Sequence, residues 1–395
     1  MVVRTIDTAE RRARLARRHC LSPDAQLADP TAIARSIVAY HATDPASVYL
    51  SMAARSGFAP PEALDKALYD DRSLVRMLGM RRTMFVVPVE SVQVVHRACT
   101  EAIAVTERRR TMQMIAEGGI PDPAGWLDRA QAATVKALRR RGEATTRELG
   151  DDVPELRAEV VLSPGKKYEA RATLAPRVLF QLSAEGLAIR GRPVKSWVSN
   201  YRWTLTETWL PGGVPDVSPA DAELTLARGW LAAFGPGTVA DLKWWTGWTL
   251  TRARRVLATL GAIEVGLEGG ETGYVLPDDV DPVPPTEPWV ALLPGLDPAV
   301  MGWAMAGRHW YLGDDVRAAV YDRNGNIGPT VWCDDRIVGG WAQRSDGTIV
   351  HRLLSDVGAD AERAIEGRAG ELQAWLSDVR VTPRFRTPLE RELTR

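Results

Sequence analysis

An α+β fold is predicted for this chain, built of tandem modules that each run helix, helix, ribbon, followed by a small barrel-like β domain. Three observations predict it. Two segments share one order. Thr145-Thr146-Arg147-Glu148-Leu149 and Thr238-Val239-Ala240-Asp241-Leu242 both place an acid three residues after Thr, the spacing that caps a helix start. Each leads to a helix with Val-Leu-x-x-Leu (Val178 to Leu182, Val256 to Leu260), then to a Gly-punctuated ribbon (Gly186 to Trp203, Gly261 to Val275). Pro282, Pro284, Pro285 and Pro288 then mark a linker. Beyond it, short apolar runs alternate with turn signals at Arg323-Asn324-Gly325-Asn326, Asp334-Asp335 and Ser345-Asp346-Gly347, which read as hairpins of a barrel or sandwich.

The elements follow in order. Ala32 to His41 places Ile33, Ile37 and His41 four residues apart, one face of a helix. Asp44-Pro45 starts the next helix, with Asp44 at the N-cap and Pro45 in the first turn. Another helix opens near Pro61. Leu74 to Val87, rich in Val, Leu, Met and Phe, predicts a strand pair folded about Arg81-Arg82. It supplies the ribbon of a diverged first module. A long amphipathic stretch runs from Val89 to about Ala116, and a helix from Pro123 to Arg141. One helix, about Asp360 to Leu376, packs on the C-terminal strands. Helix, helix, ribbon is the order of a winged helix-turn-helix. The domains expected are 1–120, 121–215, 216–285 and a β-barrel domain at 286–395.

Composition narrows the function classes. The 395 residues carry 50 basic and 50 acidic side chains, 45% hydrophobic and 25% charged residues, ordinary values for a globular protein. Zero net charge counts, taken alone, against a general nucleic-acid or membrane-surface binder, although phosphate binding depends on local charge. The N-terminal twenty residues hold five arginines from Arg11 to Arg18 and no apolar core, unlike a signal peptide. No apolar run approaches the roughly 20 residues that span a bilayer. Three isolated cysteines predict a reducing, cytoplasmic setting, and five scattered histidines predict no metal and no cofactor.

Several motifs occur together. Leu293-Pro294-Gly295-Leu296-Asp297-Pro298, Asp322-Arg323-Asn324-Gly325-Asn326, Val338-Gly339-Gly340-Trp341 and Thr382-Pro383-Arg384-Phe385 mark the C-terminal third. Ala39-Tyr40-His41-Ala42-Thr43-Asp44-Pro45, Val75-Arg76 with Met80-Arg81-Arg82-Thr83, Arg190-Gly191-Arg192-Pro193 and Tyr201-Arg202-Trp203 precede them. As a set, and along essentially the whole chain, these resemble the bacterial winged-helix DNA glycosylases of the AlkZ and YcaQ kind. The resemblance implies tandem winged-helix modules around a DNA groove, a C-terminal β-barrel and a monomer. It also implies monofunctional removal of N7-alkylated purines from double-stranded DNA, in base excision repair or in self-resistance to a DNA-alkylating natural product. The family signature is Gln-x-Gln or Gln-x-Asp, and this chain has His41-Ala42-Thr43 there. The family usually has Arg-Gly-Thr where Arg81-Arg82-Thr83 stands, and a His is common at Phe85. The alternative is a non-catalytic winged-helix protein, a lesion sensor or regulator.

N7-alkylguanine is cationic, so its base leaves without a proton. What remains is to stabilise an oxocarbenium-like sugar and present water to C1′. His41, with an unperturbed pKa of about 6.5, is the candidate water-activating residue, or else a core histidine. Thr43 either orients that water or caps a helix. Asp44 either stabilises the sugar cation or is an N-cap. The motif has no lysine for a Schiff base, so no lyase step is expected. Candidate DNA contacts are Lys166, Lys167, Arg190, Arg192, Lys195, Arg252, Arg254 and Arg255, on recognition helices or wings, and the arginines among them should share one concave surface with the hairpin-tip pair Arg81 and Arg82. Asn324 and Asn326 are either a groove probe or the centre of a type I′ turn. The tryptophans Trp197, Trp203, Trp244, Trp245, Trp332 and Trp341 read as packing residues.

Overall fold

The structure, a computed structural model, describes residues 2–162, 165–167, 169–195, 197 and 200–395. It is a mixed α/β protein. Near the N-terminus, the Pro30–Ser36 helix starts where the Asp29 carboxylate accepts from the N–H groups of Thr31 and Ala32. The expected continuation to His41 does not occur. Val38 turns the chain at φ 66°, a region that disfavours a β-branched residue, and Tyr40–His41 is a short strand. That strand joins the hairpin Leu74–Leu78 and Met84–Pro88, with Met84–Pro88 central and both pairings antiparallel. His41 therefore faces Phe85 across a sheet rather than sharing a helix face with Ile33.

The hairpin turns at Met80–Arg82, where Arg81 and Arg82 take φ values of 52° and 64°. This is the left-handed region that favours glycine. It gives a physical reason for a glycine at the second position and makes Arg82 the strained exception. The stretch after it is helical, Val92–Val95 and Glu101–Glu117, joined by a π-turn at His96–Thr100.

Two further units follow the helix, helix, ribbon order. In one, Thr146–Asp152 starts at a capping box of Thr145 and Glu148. Ala175–Ala184 follows, then the ribbon Ala188–Pro193 and Tyr201–Leu205. Residues 196, 198 and 199 of the expected Gly186–Trp203 ribbon lie outside the described residues. In the other, Val239–Thr246 starts at a second capping box, Thr238 with Asp241. Leu250–Thr259 and the ribbon Ile263–Leu267 with Thr272–Val275 complete it. The N-terminal strand Thr5–Ile6 adds to that ribbon in parallel. Residues Ile115 to Leu205 enclose their own core, whereas a second, larger core runs through the N-terminal, third and C-terminal segments.

The C-terminal strands form an open sheet, not the expected barrel. Val290–Leu293, Thr330–Cys333, Arg336–Gln343 and Ile349–Leu353 pair antiparallel in sequence order, so the first and last never meet. The Ala359–Leu376 helix packs on both outer strands, and Pro388–Leu393 packs on Arg336–Gln343, where seven of eight residues are buried. A strand buried on both faces suits a layered sheet. Asp334-Asp335, with φ 46° and 69°, makes the expected hairpin turn, with both residues left-handed as in type I′. Asn324-Gly325 also reverses the chain, closing an antiparallel bridge between Tyr321 and Ile327, but not as type I′, because only Gly325 is left-handed. There the Asp322 carboxylate accepts from the backbone N–H groups of Asn324 and Asn326 and from the Asn326 amide.

One buried ion pair binds the N-terminal region to the C-terminal one. Arg55 and Asp297 are both 0% exposed and meet through two hydrogen bonds of 2.9 and 2.7 Å, with Ser51 and the N–H of Ala299 as further donors to Asp297. Asp297 thereby holds the Leu293–Pro298 motif against the Pro45–Arg55 helix.

Candidate functional site

His41 lies at the end of its strand, 4% exposed, with its ring edge-on to Phe85 at 5.1 Å between centroids. Burial, then the charge of Arg81, pushes its pKa down to about 3. The ring is neutral at pH 7, and its basicity is well below the near-neutral value expected from the residue type. Nδ1 is buried without a hydrogen-bond partner. Ala42 continues the sheet by donating to the Met84 carbonyl at 2.8 Å. Thr43 is half-buried, and its Oγ1 also lacks a partner. The strand ends at His41 and the chain bends at Thr43, so the two signature positions, two residues apart, each carry an unsatisfied polar atom.

Asp44 is engaged differently. One carboxylate oxygen accepts from Ala46 N–H at 3.2 Å and caps the Pro45–Arg55 helix, and the other accepts from Arg384 N–H at 2.9 Å. Burial pushes its carboxyl up, with those backbone N–H groups opposing. The N-cap reading describes Asp44, and both oxygens already have donors.

Arginines surround the segment. Arg76 donates to the Ala42 carbonyl at 2.8 Å and stacks over Tyr201 at 4.3 Å. The Arg384 guanidinium reaches toward the Thr43 carbonyl at 3.5 Å. Arg190, on the Ala188–Pro193 strand, has its pKa lowered to about 10 by burial first, then by the charges of Arg76 and Arg384. Sequence reasoning found Arg190 but gave Arg76 and Arg384 no role. Both lie within quoted motifs, yet only the fold brings them to Ala42–Asp44.

The hairpin tip does not extend freely. The Arg81 guanidinium lies 3.7 Å over the Trp244 ring, and Arg82 pairs with Glu107 at 2.8 Å. Glu107 was not anticipated. It sits in the Glu101–Glu117 helix with its side chain 2% exposed, and Arg110 and Arg177 also approach it. Arg81, Arg82, Glu107, Trp248 and Arg252 border a cavity of about 290 Å³.

The remaining candidates are distributed. Arg192 pairs with Asp70 at 2.7 Å and stacks over Tyr69. Arg252 pairs with Glu223 at 2.8 Å and donates to the Ala98 carbonyl, while Arg255 also pairs with Glu223. Arg254 lines a separate cavity with Val3 and Tyr274. Lys166 and Lys167 are exposed on a hairpin between Glu159–Leu162 and Ala170–Thr173, an element the sequence reading did not anticipate. They are therefore on neither the recognition helix nor the Ala188–Leu205 ribbon. Lys195 is exposed beyond the Ala188–Pro193 strand. Asn324 is exposed, and Asn326 is tied to Asp322. The arginines expected on one surface thus fall into groups: Arg81, Arg82 and Arg252 at one cavity, Arg190 and Arg192 beside the N-terminal sheet, and Arg254 at another cavity. Of the tryptophans, Trp197, Trp203, Trp245, Trp332 and Trp341 are buried, and Trp244 is half-buried under Arg81.

Among the described residues, no group of three His, Cys, Asp or Glu side chains is placed to hold a metal, and no helix is long and apolar enough to cross a membrane. A family model described as DNA glycosylase AlkZ-like matches residues 34–375. Among solved structures, the chain is similar to the Streptomyces sahachiroi DNA glycosylase AlkZ. Sequence identity is 20%, the match covers 96% of this chain and 99% of that chain, and the TM-score is 0.67, a likeness of fold. No curated protein sequence matches.

Proposed function

Because the chain belongs to the AlkZ-like DNA glycosylase family, we propose that it hydrolyses the N-glycosidic bond of N7-alkylated purines in double-stranded DNA, as a monofunctional enzyme. The observation that carries this reading is the pair of unpartnered polar atoms, His41 Nδ1 and Thr43 Oγ1, at the positions of the family signature. Buried polar atoms without partners cost stability, and in this proposal the attacking water is the partner both are held for. In the reaction, the water oxygen bonds to C1′ as the C1′–N9 bond breaks, and the electron pair leaves with the purine. The cationic base departs neutral. His41, held neutral by burial, accepts a hydrogen bond from the water and orients it, and the released proton passes to solvent. Its low basicity makes it a weak general base, so the alkyl group's activation of the leaving base carries more of the chemistry.

In this proposal the helix, helix, ribbon units act as winged-helix modules that grip the duplex, and the protein works as a monomer, in general repair or in self-resistance. A second reading, a lesion binder without catalysis, is favoured by the 4% exposure of His41 and the loss of both signature residues. One experiment separates the two. Duplex DNA carrying N7-methylguanine or a bulkier N7 adduct is incubated with the protein and treated with alkali. Strand cleavage that disappears in His41→Ala supports the enzyme. Binding without base release across a panel of adducts supports the second reading.

A further inference from the structure

We propose that Arg76, Arg190 and Arg384 form a binding site for a DNA phosphodiester, set directly against the Ala42–Asp44 segment. This inference rests on the glycosylase reading only for the identity of the anion. The site itself follows from charge. The Arg76 and Arg384 guanidiniums lie at the Ala42 and Thr43 carbonyls. Arg190, over the Trp203 ring at 5.3 Å, stands on the strand packed beside that of Arg76. Among the described residues none of the three makes an ion pair within 4 Å. Asp44, the carboxylate beside Arg76 and Arg384, already accepts from two backbone N–H groups. Arg76 is 5% exposed, and its Nε is buried without a hydrogen-bond partner. Burying unpaired cations is unfavourable, so a cluster of this kind is completed by an anion. Guanidiniums suit phosphate, which accepts two parallel N–H bonds from one group.

The placement differs from an ordinary backbone contact. Arg76 holds the Ala42 carbonyl, and Arg384 is fixed by its own N–H to Asp44 while its side chain reaches toward Thr43. A phosphate seated here is held in register with His41 and Thr43. Arg190 lies on the Ala188–Pro193 strand, which packs against the Leu74–Leu78 strand that carries Arg76, so a phosphate shared by the two links that ribbon to the N-terminal sheet.

The test uses the full-length protein and a duplex carrying one tetrahydrofuran abasic analogue, which cannot be cleaved. Affinity is measured by fluorescence anisotropy from 50 to 200 mM salt for the wild type, Arg190→Gln, Arg384→Gln and the double variant. One phosphate contact contributes about 0.9 to the slope of log affinity against log salt, so each single variant should lose part of that amount and the double variant the whole of it. Across this range the double variant's affinity should fall roughly three- to fourfold less than the wild type's. Arg363→Gln, on the exposed helix beside Asp360, should retain the wild-type slope. A methylphosphonate beside the abasic position should weaken the wild type and leave the double variant unchanged. Wild-type slopes in both single variants would overturn the site, as would equal methylphosphonate losses in the wild type and the double variant. Reduced slopes together with no base release from any adduct would retain the phosphate site and reject the glycosylase reading.

Discussion

Removing the Asp297 carboxylate should be among the most damaging single changes in this protein. Its oxygens accept from Arg55 Nη1 and Nη2, Ser51 Oγ and Ala299 N–H, at 2.7 to 2.9 Å, and neither charged side chain is exposed. In Asp297→Ala the Arg55 guanidinium stays buried with only Ser51 to receive it. Breaking a buried pair in this way costs about 3–5 kcal/mol. For a large chain that lowers the thermal midpoint on the order of 6–10 °C, taking roughly 2 °C per kcal/mol. The pair also fixes a pH window. Burial opposes ionisation, but the charge and hydrogen bonds of Arg55 hold the Asp297 carboxyl below its usual value. Its contribution is therefore complete above the unfolded pKa of about 3.9, and is lost only as pH falls through the lower folded value. The assay is thermal unfolding at pH 7 of the wild type, Asp297→Ala and the double variant Arg55→Met/Asp297→Leu. The double variant should recover most of the loss because no orphaned charge remains. A single variant within about 1 kcal/mol of the wild type would refute the buried-pair argument.

Five further outcomes follow from the same structure. With His41 neutral down to a pKa of about 3, single-turnover base release should stay flat from pH 8 to about 5. An acid limb centred near pH 6.5 that vanishes in His41→Gln would contradict its burial. His19 and His41 both have folded values of about 3, so their stability contribution is complete above the unfolded pKa of about 6.5. It should decline as pH falls from there toward 3, and urea midpoints at pH 7 and 5 should show the drop. Arg82→Gly relieves a left-handed residue worth about 1 kcal/mol and gives up the pair of the part-exposed Arg82 with the buried Glu107, worth about 1 kcal/mol or less because Glu107 keeps Arg110 as a partner. The urea midpoint should therefore stay level or rise slightly, and a loss above about 1 kcal/mol would mean that Glu107 holds the hairpin tip. Gly339→Ala puts a Cβ 2.1 Å from the Arg352 carbonyl oxygen of the neighbouring strand, a clash expected to cost about 1–3 kcal/mol. Gly367→Ala, with open space on an exposed helix, should stabilise by about 0.5–1 kcal/mol.

Elements whose cause is local were legible in the sequence. Asp44-Pro45, the two Thr-x-x-acid boxes and the Asp334-Asp335 turn each carry their own hydrogen-bond chemistry, and each appears where its residues place it. The failures have non-local causes. Nothing near Val38 announces a left-handed valine. The turn is imposed by the pairing of Tyr40–His41 with Met84–Pro88, and the i, i+4 spacing of Ile33, Ile37 and His41 falsely suggests a longer helix. The barrel failed for a similar reason. Hairpin signals specify neighbours but not closure, and two helices whose partners lie far along the chain cover the sheet instead.

The candidate site divides along the same line, and the division bears on mechanism. His41 and Thr43 were found because they stand at the positions of the family signature, a motif carried by three consecutive residues. Their environment was not, because burial and the charge of Arg81 come from distant elements. That environment changes what His41 does. A histidine near its ordinary pKa is a proton acceptor, whereas one held at about 3 offers a lone pair for a hydrogen bond and little basicity. In that state its chemistry approaches that of the amide it replaces, which also orients water without taking a proton. On the proposed reading, the exchange of glutamine for histidine, a change of mechanism when read from residue type, is a conservative one. Rescue of base release by His41→Gln, alongside its loss in His41→Ala, is the outcome this equivalence requires.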